Sequence, residues 1–258
     1  MKISCIIPAR FASQRLPGKP MVKIKDTPMI EWVYRRACQV KRFDNVIVAT
    51  DHPLIRDHIL SIGGDARMTP EDLPSGTDRV AQVARNLDTD IVVNLQGDEP
   101  LIVPDVLEKV CAPFTDPGIR MVTPVTKFKS VQDLADTSLV RVVIDNQGDA
   151  LYFTRAVVPY NRDANHYDQW LKEHPYYKHI GIYAYRKEFL LELSEMPPGK
   201  LEQIEKLEQL RVLENGFRIR TVYADYTAMS IDTNEDLINI NNYVKTHHIN
   251  MVDIHEKM

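Results

Sequence analysis

The sequence predicts an α/β fold: a doubly wound, mostly parallel sheet that carries a β-rich insertion. Apolar, β-branched runs alternate with amphipathic stretches as far as about residue 125, which is typical of βαβ units. The runs at residues 3–7 and 91–93 are almost continuously apolar, as expected of strands buried on both faces. A basic loop follows the first run directly, at the sheet edge where open α/β proteins bind ligands.

The first half of the chain is expected to alternate strands and helices. Strands are predicted at 3–7, 46–50 and 91–95, and helices at 29–40 and 54–62. Parallel neighbouring strands need a crossover of this kind, since a two-residue hairpin joins only antiparallel strands.

The pattern changes after about residue 125. Two apolar runs, 140–144 and 150–153, flank the turn sequence DNQGD, which predicts a hairpin. Residues 159–177 show no periodicity, so a long loop is expected there. The remaining predicted elements are a helix at 201–214 ended by Asn215-Gly216, a strand at 217–224, and a helix starting at Thr233 or Asn234 and reaching Val244.

Composition and charge exclude several functional classes. The 258 residues are 44% hydrophobic and 26% charged, which is ordinary for a globular protein. A net charge of −4 argues against a nucleic-acid binder. Residues 1–42 nevertheless carry 10 Lys and Arg against 2 acidic residues, and such a local positive field suits a small anionic ligand.

The cysteines and the apolar runs bear on the compartment. Cys5, Cys38 and Cys111 are far apart without a C-x-x-C pair, so we expect buried free thiols and neither a disulfide framework nor a zinc site. No run approaches the roughly 18 apolar residues of a membrane span. The first residues lead straight into a strand rather than a signal peptide. These features predict a cytoplasmic protein without a membrane partner.

The basic loop at residues 8–20 carries the strongest functional signal. It reads PARFASQRLPGKP and contains Arg10, Arg15 and Lys19. Arginine offers flat, bidentate forks to phosphate oxygens, and lysine offers a compact charge. The loop differs from a Walker motif, because Pro20 after Lys19 has no N–H to offer a phosphate. The spacing alone fits a solvated basic surface loop equally well.

Two aspartates are candidate ligands for a hard cation. Asp98 follows the predicted buried strand on a Gly-containing turn, and Asp232 lies just before the last predicted helix. Mg²⁺ prefers oxygen ligands, commonly one or two carboxylates together with phosphates and waters. The spacing of Asp232, taken alone, favours a helix-starting role over a metal ligand. Glu99 competes with Asp98, but Pro100 and chain alternation direct it elsewhere.

Five motifs, taken together, resemble one family. They are PARFASQRLPGKP at 8–20, SGTDR at 75–79, NLQGDEP at 94–100, KHIGIY at 178–183 and LEQLR at 207–211. The first three resemble the sugar-acid cytidylyltransferases. The last two narrow the resemblance to the 3-deoxy-manno-octulosonate (Kdo) cytidylyltransferase, or CMP-Kdo synthetase, family. The resemblance extends along the chain, with the motifs in the same order, from about residue 3 to about residue 237.

The resemblance implies a nucleotidyltransferase-type sheet and a single domain over residues 1–258. Residues 1–125 would bind CTP, and a β-rich insertion at about 125–186 would bind the sugar and form a homodimer. The implied reaction joins CTP and Kdo to give CMP-Kdo and pyrophosphate, for lipopolysaccharide biosynthesis, with Mg²⁺ as the cofactor.

The resemblance also implies residue roles, by position. For CTP it implies Arg10, Arg15, Lys19, Ser75 and Arg79. For Mg²⁺ it implies Asp98 and Asp232, and these two with Arg10 and Lys19 would be the catalytic residues. For the sugar acid it implies Gln96, Arg155, His179, Tyr183, Glu208 and Gln209. One departure is Met229-Ser230, where family members commonly have a small, often Gly-containing pair.

Simpler interpretations stand beside these roles. The SGTDR motif alone fits a loop-to-helix transition capped by Ser75 or Thr77. His179 alone fits a hydrogen-bonded core histidine, although one strand face would carry it together with Gly181 and Tyr183, with the glycine leaving room. Adjacent residues on a helix point about 100° apart, so at most one of Glu208 and Gln209 is expected to be central to sugar-acid binding.

Two other functions remain open from sequence alone. A close relative could activate 8-amino-Kdo or another sugar acid, since the motifs do not distinguish a terminal hydroxyl from an amine. A catalytically silent nucleotide-binding regulator is the alternative from another class. The intact Asp98, Asp232, Arg10 and Lys19 argue against it.

Overall fold

A computed structural model describes residues 1–13, 15–164 and 166–251. Gln14 of the basic loop lies outside the described residues. The chain divides into two compact units. The first unit holds residues 1–108, 184–194 and the segment from 228 onward, and the second holds 109–183 and 195–227.

The described residues form twelve β-strands and ten α-helices, each numbered in chain order. The strands are β1 (Ile3–Ala9), β2 (Lys23–Ile24), β3 (Thr27–Pro28), β4 (Asn45–Thr50), β5 (Asp65–Met68), β6 (Ile91–Asn94), β7 (Met121–Lys127), β8 (Arg141–Ile144), β9 (Ala150–Thr154), β10 (Tyr177–His179), β11 (Tyr183–Arg186) and β12 (Arg220–Tyr223). The α-helices are α1 (Met29–Ala37), α2 (Pro53–Ser61), α3 (Gly76–Ala84), α4 (Pro104–Cys111), α5 (Val131–Ala135), α6 (Tyr167–Glu173), α7 (Lys187–Glu195), α8 (Lys200–Glu205), α9 (Leu210–Glu214) and α10 (Asn234–Thr246).

The first unit is built on parallel strands in the order β5-β4-β1-β6. Helices connect these strands, so the predicted α/β class and mostly parallel sheet are confirmed. Ile6 and Val93 are fully buried, as the apolar runs predicted. The observed strands and helices begin and end within a few residues of the predicted ones. A separate apolar cluster packs α10, through Ile240 and Val244, against Trp32 of α1.

The second unit is mostly antiparallel. β10 pairs with β7 and β8, and β8 pairs with β9; β12 is parallel to β7. The predicted hairpin is confirmed, with Gly148 of its turn at φ +86°, where a residue without Cβ is favoured.

The structure corrects several element predictions in the second unit. The helix expected at 201–214 is two helices, α8 and α9, because Lys206 adopts a left-handed conformation with φ 56° that ends α8. Residues 208–209 therefore lie in a helix break, and the 100° argument does not apply to them. The loop expected at 159–177 contains α6, whose buried Trp170 packs into a small apolar cluster. The strand expected at 217–224 is shorter than predicted, since only β12 at Arg220–Tyr223 forms there.

Two further sequence expectations were tested. Cys5 and Cys111 are buried free thiols as expected, whereas Cys38 at the end of α1 is exposed. Within the described ranges, no helix is long and apolar enough to cross a membrane.

Candidate active site

A cleft of about 560 Å³ lies in the first unit, where β1 and β6 end. Ligands of open α/β proteins bind at this edge, where parallel strands end. The cleft brings together eight of the residues singled out from the sequence. They are Arg10, Arg15, Lys19, Ser75, Arg79, Gln96, Asp98 and Asp232.

Lys19 joins the two candidate metal ligands. Its Nζ lies 2.6 Å from Asp98 Oδ2 and 2.9 Å from Asp232 Oδ1, and its side chain is only 15% exposed. A short 3₁₀ turn at Lys19–Met21 positions it, preceded by Gly18 in a left-handed conformation with φ 64°. The interpretation of residues 8–20 as a merely solvated loop is therefore wrong for Lys19.

The other two cations of the loop are more exposed. Arg15 forms an ion pair with Asp232, its Nη2 lying 2.9 Å from Oδ1, while Arg10 lines the cleft with an exposed side chain. Burial lowers the pKa of Lys19, but Asp98 and Asp232 outweigh that effect and raise the pKa above its ordinary value. The cleft thus carries four cations, these three and Arg79, against two carboxylates.

The helix-starting interpretation of Asp232 is wrong. Thr233 is the N-cap of α10, and its hydroxyl accepts from the Asp236 N–H over 3.2 Å. The Asp232 N–H donates to the Asp236 carboxylate over 3.0 Å, which leaves the Asp232 carboxylate directed toward Lys19. A bond from the Ile231 N–H to the Asp98 carbonyl, at 3.1 Å, fixes the two aspartate segments side by side.

The donor set fits a hard cation. The carboxylates of Asp98 and Asp232 already converge on one ammonium, within 2.9 Å of its nitrogen, and Mg²⁺ is commonly held by one or two carboxylates with phosphates and waters. In the described part of the chain no group of three or more His, Cys, Asp or Glu side chains could hold a metal ion. A cation held by these two carboxylates would take its other ligands from phosphate and water oxygens. Glu99, the competing ligand, is buried and does not line the cleft.

Ser75 and Arg79 lie at the start of α3. Ser75 is the N-cap, accepting from the Asp78 N–H over 3.1 Å, as the simpler interpretation of SGTDR predicted. Arg79 lines the cleft from a buried position, where its guanidinium donates to Thr69 and, over 3.1 Å, to Asp51. Burial lowers the pKa of Arg79, and Asp51 offsets part of that effect.

Asp51 supports the cleft through its contacts and is absent from the residues singled out in the sequence. Its carboxylate holds Arg79 and also accepts from the Phe11 N–H over 3.0 Å, so it ties the basic loop to α3. The Phe11 ring stacks on His52, with ring centroids 3.8 Å apart. The signal that could have identified Asp51 is its place directly after β4, at the same edge of the parallel sheet.

Gln96 lies in the cleft of the first unit. Its Nε2 donates to Asn94 Oδ1 over 3.0 Å. The other residues assigned to the sugar acid belong to the second unit.

His179 and Tyr183 lie together in the second unit. Their ring centroids are 5.4 Å apart, and His179 Nε2 lies 3.0 Å from Thr123 Oγ1. Burial lowers the pKa of His179 to about 3. Burial, helped by nearby Glu208, raises the pKa of Tyr183 above its ordinary value. A Cβ built on Gly181 would meet no atom within 4 Å, so this position leaves open space as expected. The expected single strand face is wrong, because His179 ends β10, Tyr183 begins β11, and Gly181 lies in neither strand.

Arg155 follows β9 and is held mainly by backbone carbonyls. Its Nε donates to the Glu205 carbonyl over 3.1 Å, and its Nη1 donates to the carbonyls of Thr137 and Ser138. Within residues 1–13, 15–164 and 166–251, Nη2 has no protein hydrogen bond. Two of the five guanidinium donors therefore remain for a ligand.

Gln209 is the other notable polar group of the second unit. It is 4% exposed, and among the described residues its Nε2 has no hydrogen-bond partner. Leaving a buried donor unsatisfied costs roughly 1–3 kcal/mol, so this amide is suited to a ligand oxygen.

Comparison with known proteins identifies the family of this chain. A family profile described as cytidylyltransferase matches residues 4–220. The 3-deoxy-manno-octulosonate cytidylyltransferase of Syntrophotalea carbinolica is 44% identical over 248 residues, which are 95% of this chain and 99% of that protein. The protein of that name from Geobacter metallireducens is 45% identical over 247 residues, covering 92% of this chain and 95% of its own length.

Solved structures give the same assignment. CMP:2-keto-3-deoxy-manno-octonic acid synthetase complexed with CTP matches with a TM-score of 0.90 and 40% identity, covering 96% of this chain and 100% of that one. 4-Diphosphocytidyl-2C-methyl-D-erythritol synthase from Anaerococcus prevotii matches with a TM-score of 0.62 over 95% of this chain and 98% of its own, but at 17% identity it shows the fold alone. The chain belongs to the cytidylyltransferase family and, within it, to the 3-deoxy-manno-octulosonate cytidylyltransferases.

Proposed function

We propose that this protein transfers the cytidylyl group of CTP to 3-deoxy-manno-octulosonate, giving CMP-Kdo and pyrophosphate. The observation that carries the proposal is the cluster of Lys19, Asp98 and Asp232 in a cleft that is also lined by Arg10 and Arg15. This cluster pairs cations for a triphosphate with carboxylates for a divalent ion.

The reaction is an attack by the 2-hydroxyl of the sugar acid on the α-phosphorus of CTP, with pyrophosphate leaving. Negative charge on the triphosphate grows as the bond to pyrophosphate breaks. Arg10, Arg15 and Lys19 would neutralise that charge, and fixed cations of this kind cost no reorganisation at the moment of reaction.

Asp98 and Asp232 would hold Mg²⁺. When bound, the ion polarises the α-phosphate and lowers the pKa of the attacking hydroxyl. The protein's own contribution is to position the two substrates, which converts an encounter in solution into an effectively unimolecular step.

Sugar-acid recognition is assigned to residues of the second unit. Arg155 offers the two Nη2 donors to the carboxylate of the sugar acid, and the buried Gln209 amide offers a donor to a hydroxyl. His179 is neutral at physiological pH because its pKa is about 3, so it serves as a hydrogen-bonding group. We assign the protein to the cytoplasm and to lipopolysaccharide biosynthesis.

The test is pyrophosphate release from CTP and Mg²⁺ with a panel of sugar acids. The panel includes Kdo, 8-amino-Kdo and a nine-carbon sugar acid, each run beside a control without acceptor. Kdo should have the highest kcat/KM. Preference for another acid would overturn the substrate assignment, and no pyrophosphate with any acid would favour the silent regulator.

A further inference from the structure

The side chain of Glu205 connects α8 to the end of β9 within the second unit. It is the last residue of α8, and its carboxylate accepts two hydrogen bonds from the end of β9. Oε1 accepts from Thr154 Oγ1 over 2.6 Å, and Oε2 accepts from the Arg155 N–H over 3.0 Å. With its own carbonyl bound to Arg155 Nε, this one residue holds both the backbone and the side chain of Arg155.

The guanidinium of Arg155 has little freedom in this arrangement. Nε and Nη1 are occupied by three carbonyl groups, from Thr137, Ser138 and Glu205. The Arg155 carbonyl in turn accepts from the buried Arg141 over 3.1 Å. The remaining Nη2 group is thus held in one direction before any ligand binds.

Glu205 also precedes the helix break directly. The left-handed Lys206 turns the chain after Glu205, and Glu208 and the buried Gln209 follow within four residues. The Glu205 carboxylate therefore ties the end of β9 to the segment that carries two other residues assigned to the sugar acid.

We propose that Glu205 is a positioning residue for sugar-acid binding, which it supports by holding Arg155 in its binding orientation. This inference rests on the proposed function. A flexible arginine loses conformational freedom when it binds a carboxylate, and a pre-ordered one has already lost it. Glu205 should therefore affect the KM for the sugar acid and leave the use of CTP unchanged.

The principal variant is Glu205→Gln, which keeps the shape but replaces one acceptor oxygen with a donor. The single amide oxygen can accept from only one of the Arg155 N–H and the Thr154 hydroxyl, so the other hydrogen bond is lost or reversed. We expect the KM for the sugar acid to rise on the order of tenfold, with the KM for CTP within about twofold of wild type. An unchanged KM for the sugar acid in an active Glu205→Gln enzyme would overturn the proposal.

Glu214→Gln is the matched control. The Glu214 carboxylate also accepts backbone N–H bonds at α8, from Leu201 and Glu202, but it makes no bond to Arg155. Both variants should lower the thermal midpoint, and only Glu205→Gln should raise the KM for the sugar acid. An equal rise in both would mean that general loosening of α8 is the cause.

A double-mutant cycle with Arg155→Ala separates positioning from a merely structural role. If Glu205 acts through Arg155, adding Glu205→Gln to Arg155→Ala should change the KM by less than about threefold, because contacting residues are not additive. Fully multiplicative effects would overturn the proposal.

Two outcomes at the level of the whole enzyme are distinguishable. A wild-type protein that uses no sugar acid would contradict the proposed function itself. An active wild type, together with a Glu205→Gln variant whose KM for the sugar acid is unchanged, would contradict only this inference. If Glu205→Gln does not fold, Glu205→Asp replaces it. That variant keeps the charge but shortens the reach, and it should raise the sugar-acid KM with kcat retained; an unchanged KM would again overturn the proposal.

Discussion

At the scale of single residues, Lys19 is the residue most strongly affected by its neighbours, because it contacts both candidate metal ligands. Its ammonium is largely buried between two carboxylates, where electrostatic interactions are stronger than at an exposed surface. A divalent ion held by Asp98 and Asp232 would compete for the same oxygen atoms. We therefore expect Lys19 to affect the binding of both the triphosphate and the metal, so that replacing it should alter both.

The first prediction separates the two substrates. Lys19→Ala should lower kcat on the order of a hundredfold and weaken CTP use, because charge on the triphosphate grows in the transition state. Arg155→Ala should mainly raise the KM for the sugar acid, roughly tenfold to a hundredfold, since a carboxylate keeps its charge throughout. Steady-state kinetics in both substrates test this. Calorimetry of a CTP analogue with Arg155→Ala should give wild-type affinity, and an equal fall for both substrates would contradict the division.

The second prediction concerns the metal. Asp98→Asn should lower kcat by several orders of magnitude, corresponding to roughly 3–4 kcal/mol or more, and should weaken Mn²⁺ binding in the presence of CTP, measured by electron paramagnetic resonance. Asp88→Asn, which removes an exposed carboxylate paired with Lys2, is the control and should match wild type in both measurements. Near wild-type turnover in Asp98→Asn would remove this residue from the metal site.

At the scale of secondary-structure elements, local signals determined most boundaries and tertiary packing determined the exceptions. The hairpin turn and the Thr233 cap are local, so the sequence predicted them. The break between α8 and α9 is not, because five leucine and isoleucine residues at helical spacing favour one long helix. The bonds from Glu205 to β9 are long-range contacts that a periodicity argument does not contain.

The third prediction follows from the strand β10. Burial lowers the pKa of His179 to about 3, below the ordinary 6.5 of the unfolded chain. The unfolded state therefore binds more protons between these values, so this stability is complete above pH 6.5 and is lost as the pH falls toward 3. The loss is at most about 1.4 kcal/mol per pH unit.

Urea unfolding at pH 7 and pH 5 measures this effect. His179→Gln should lose less stability than wild type between the two values, although it is less stable at pH 7. The exposed His174→Gln variant should keep the wild-type dependence. Equal losses in His179→Gln and wild type would contradict the assignment.

At the scale of the whole molecule, the fourth prediction is a homodimer formed through the second unit. Among the large apolar side chains of this unit, the most exposed are Leu151 at 59%, Tyr160 at 75% and Ile204 at 78%. If these side chains form one apolar patch, it would suit an interaction site between two copies of the chain. Light scattering at micromolar concentration should give twice the chain mass of 29.7 kDa.

A charge placed in the predicted interface should dissociate the dimer. Leu151→Glu is the test variant, and Ile238→Glu is its control, since Ile238 is an equally exposed residue of α10 in the first unit. A monomeric wild type, or dissociation by Ile238→Glu alone, would contradict the assignment of the interface.

The sequence by itself determined the class of fold, the family and the set of candidate residues. Alternating apolar runs are enough to predict parallel strands buried between helices, since period and length are local properties. The motifs at 8–20 and 94–100 follow strands of the same sheet, so their meeting at one edge could be predicted from topology.

Only the tertiary structure decided which partner each side chain has. Lys19 and Asp232 are bonded across 213 sequence positions. The hydrogen bond from Arg79 to Asp51 spans 28 positions, and the one from Arg155 to Glu205 spans 50. Each is an ion pair or hydrogen bond whose energy depends on a few tenths of an ångström and on burial. Residue types and spacing do not encode these quantities, because they arise only when distant segments pack together.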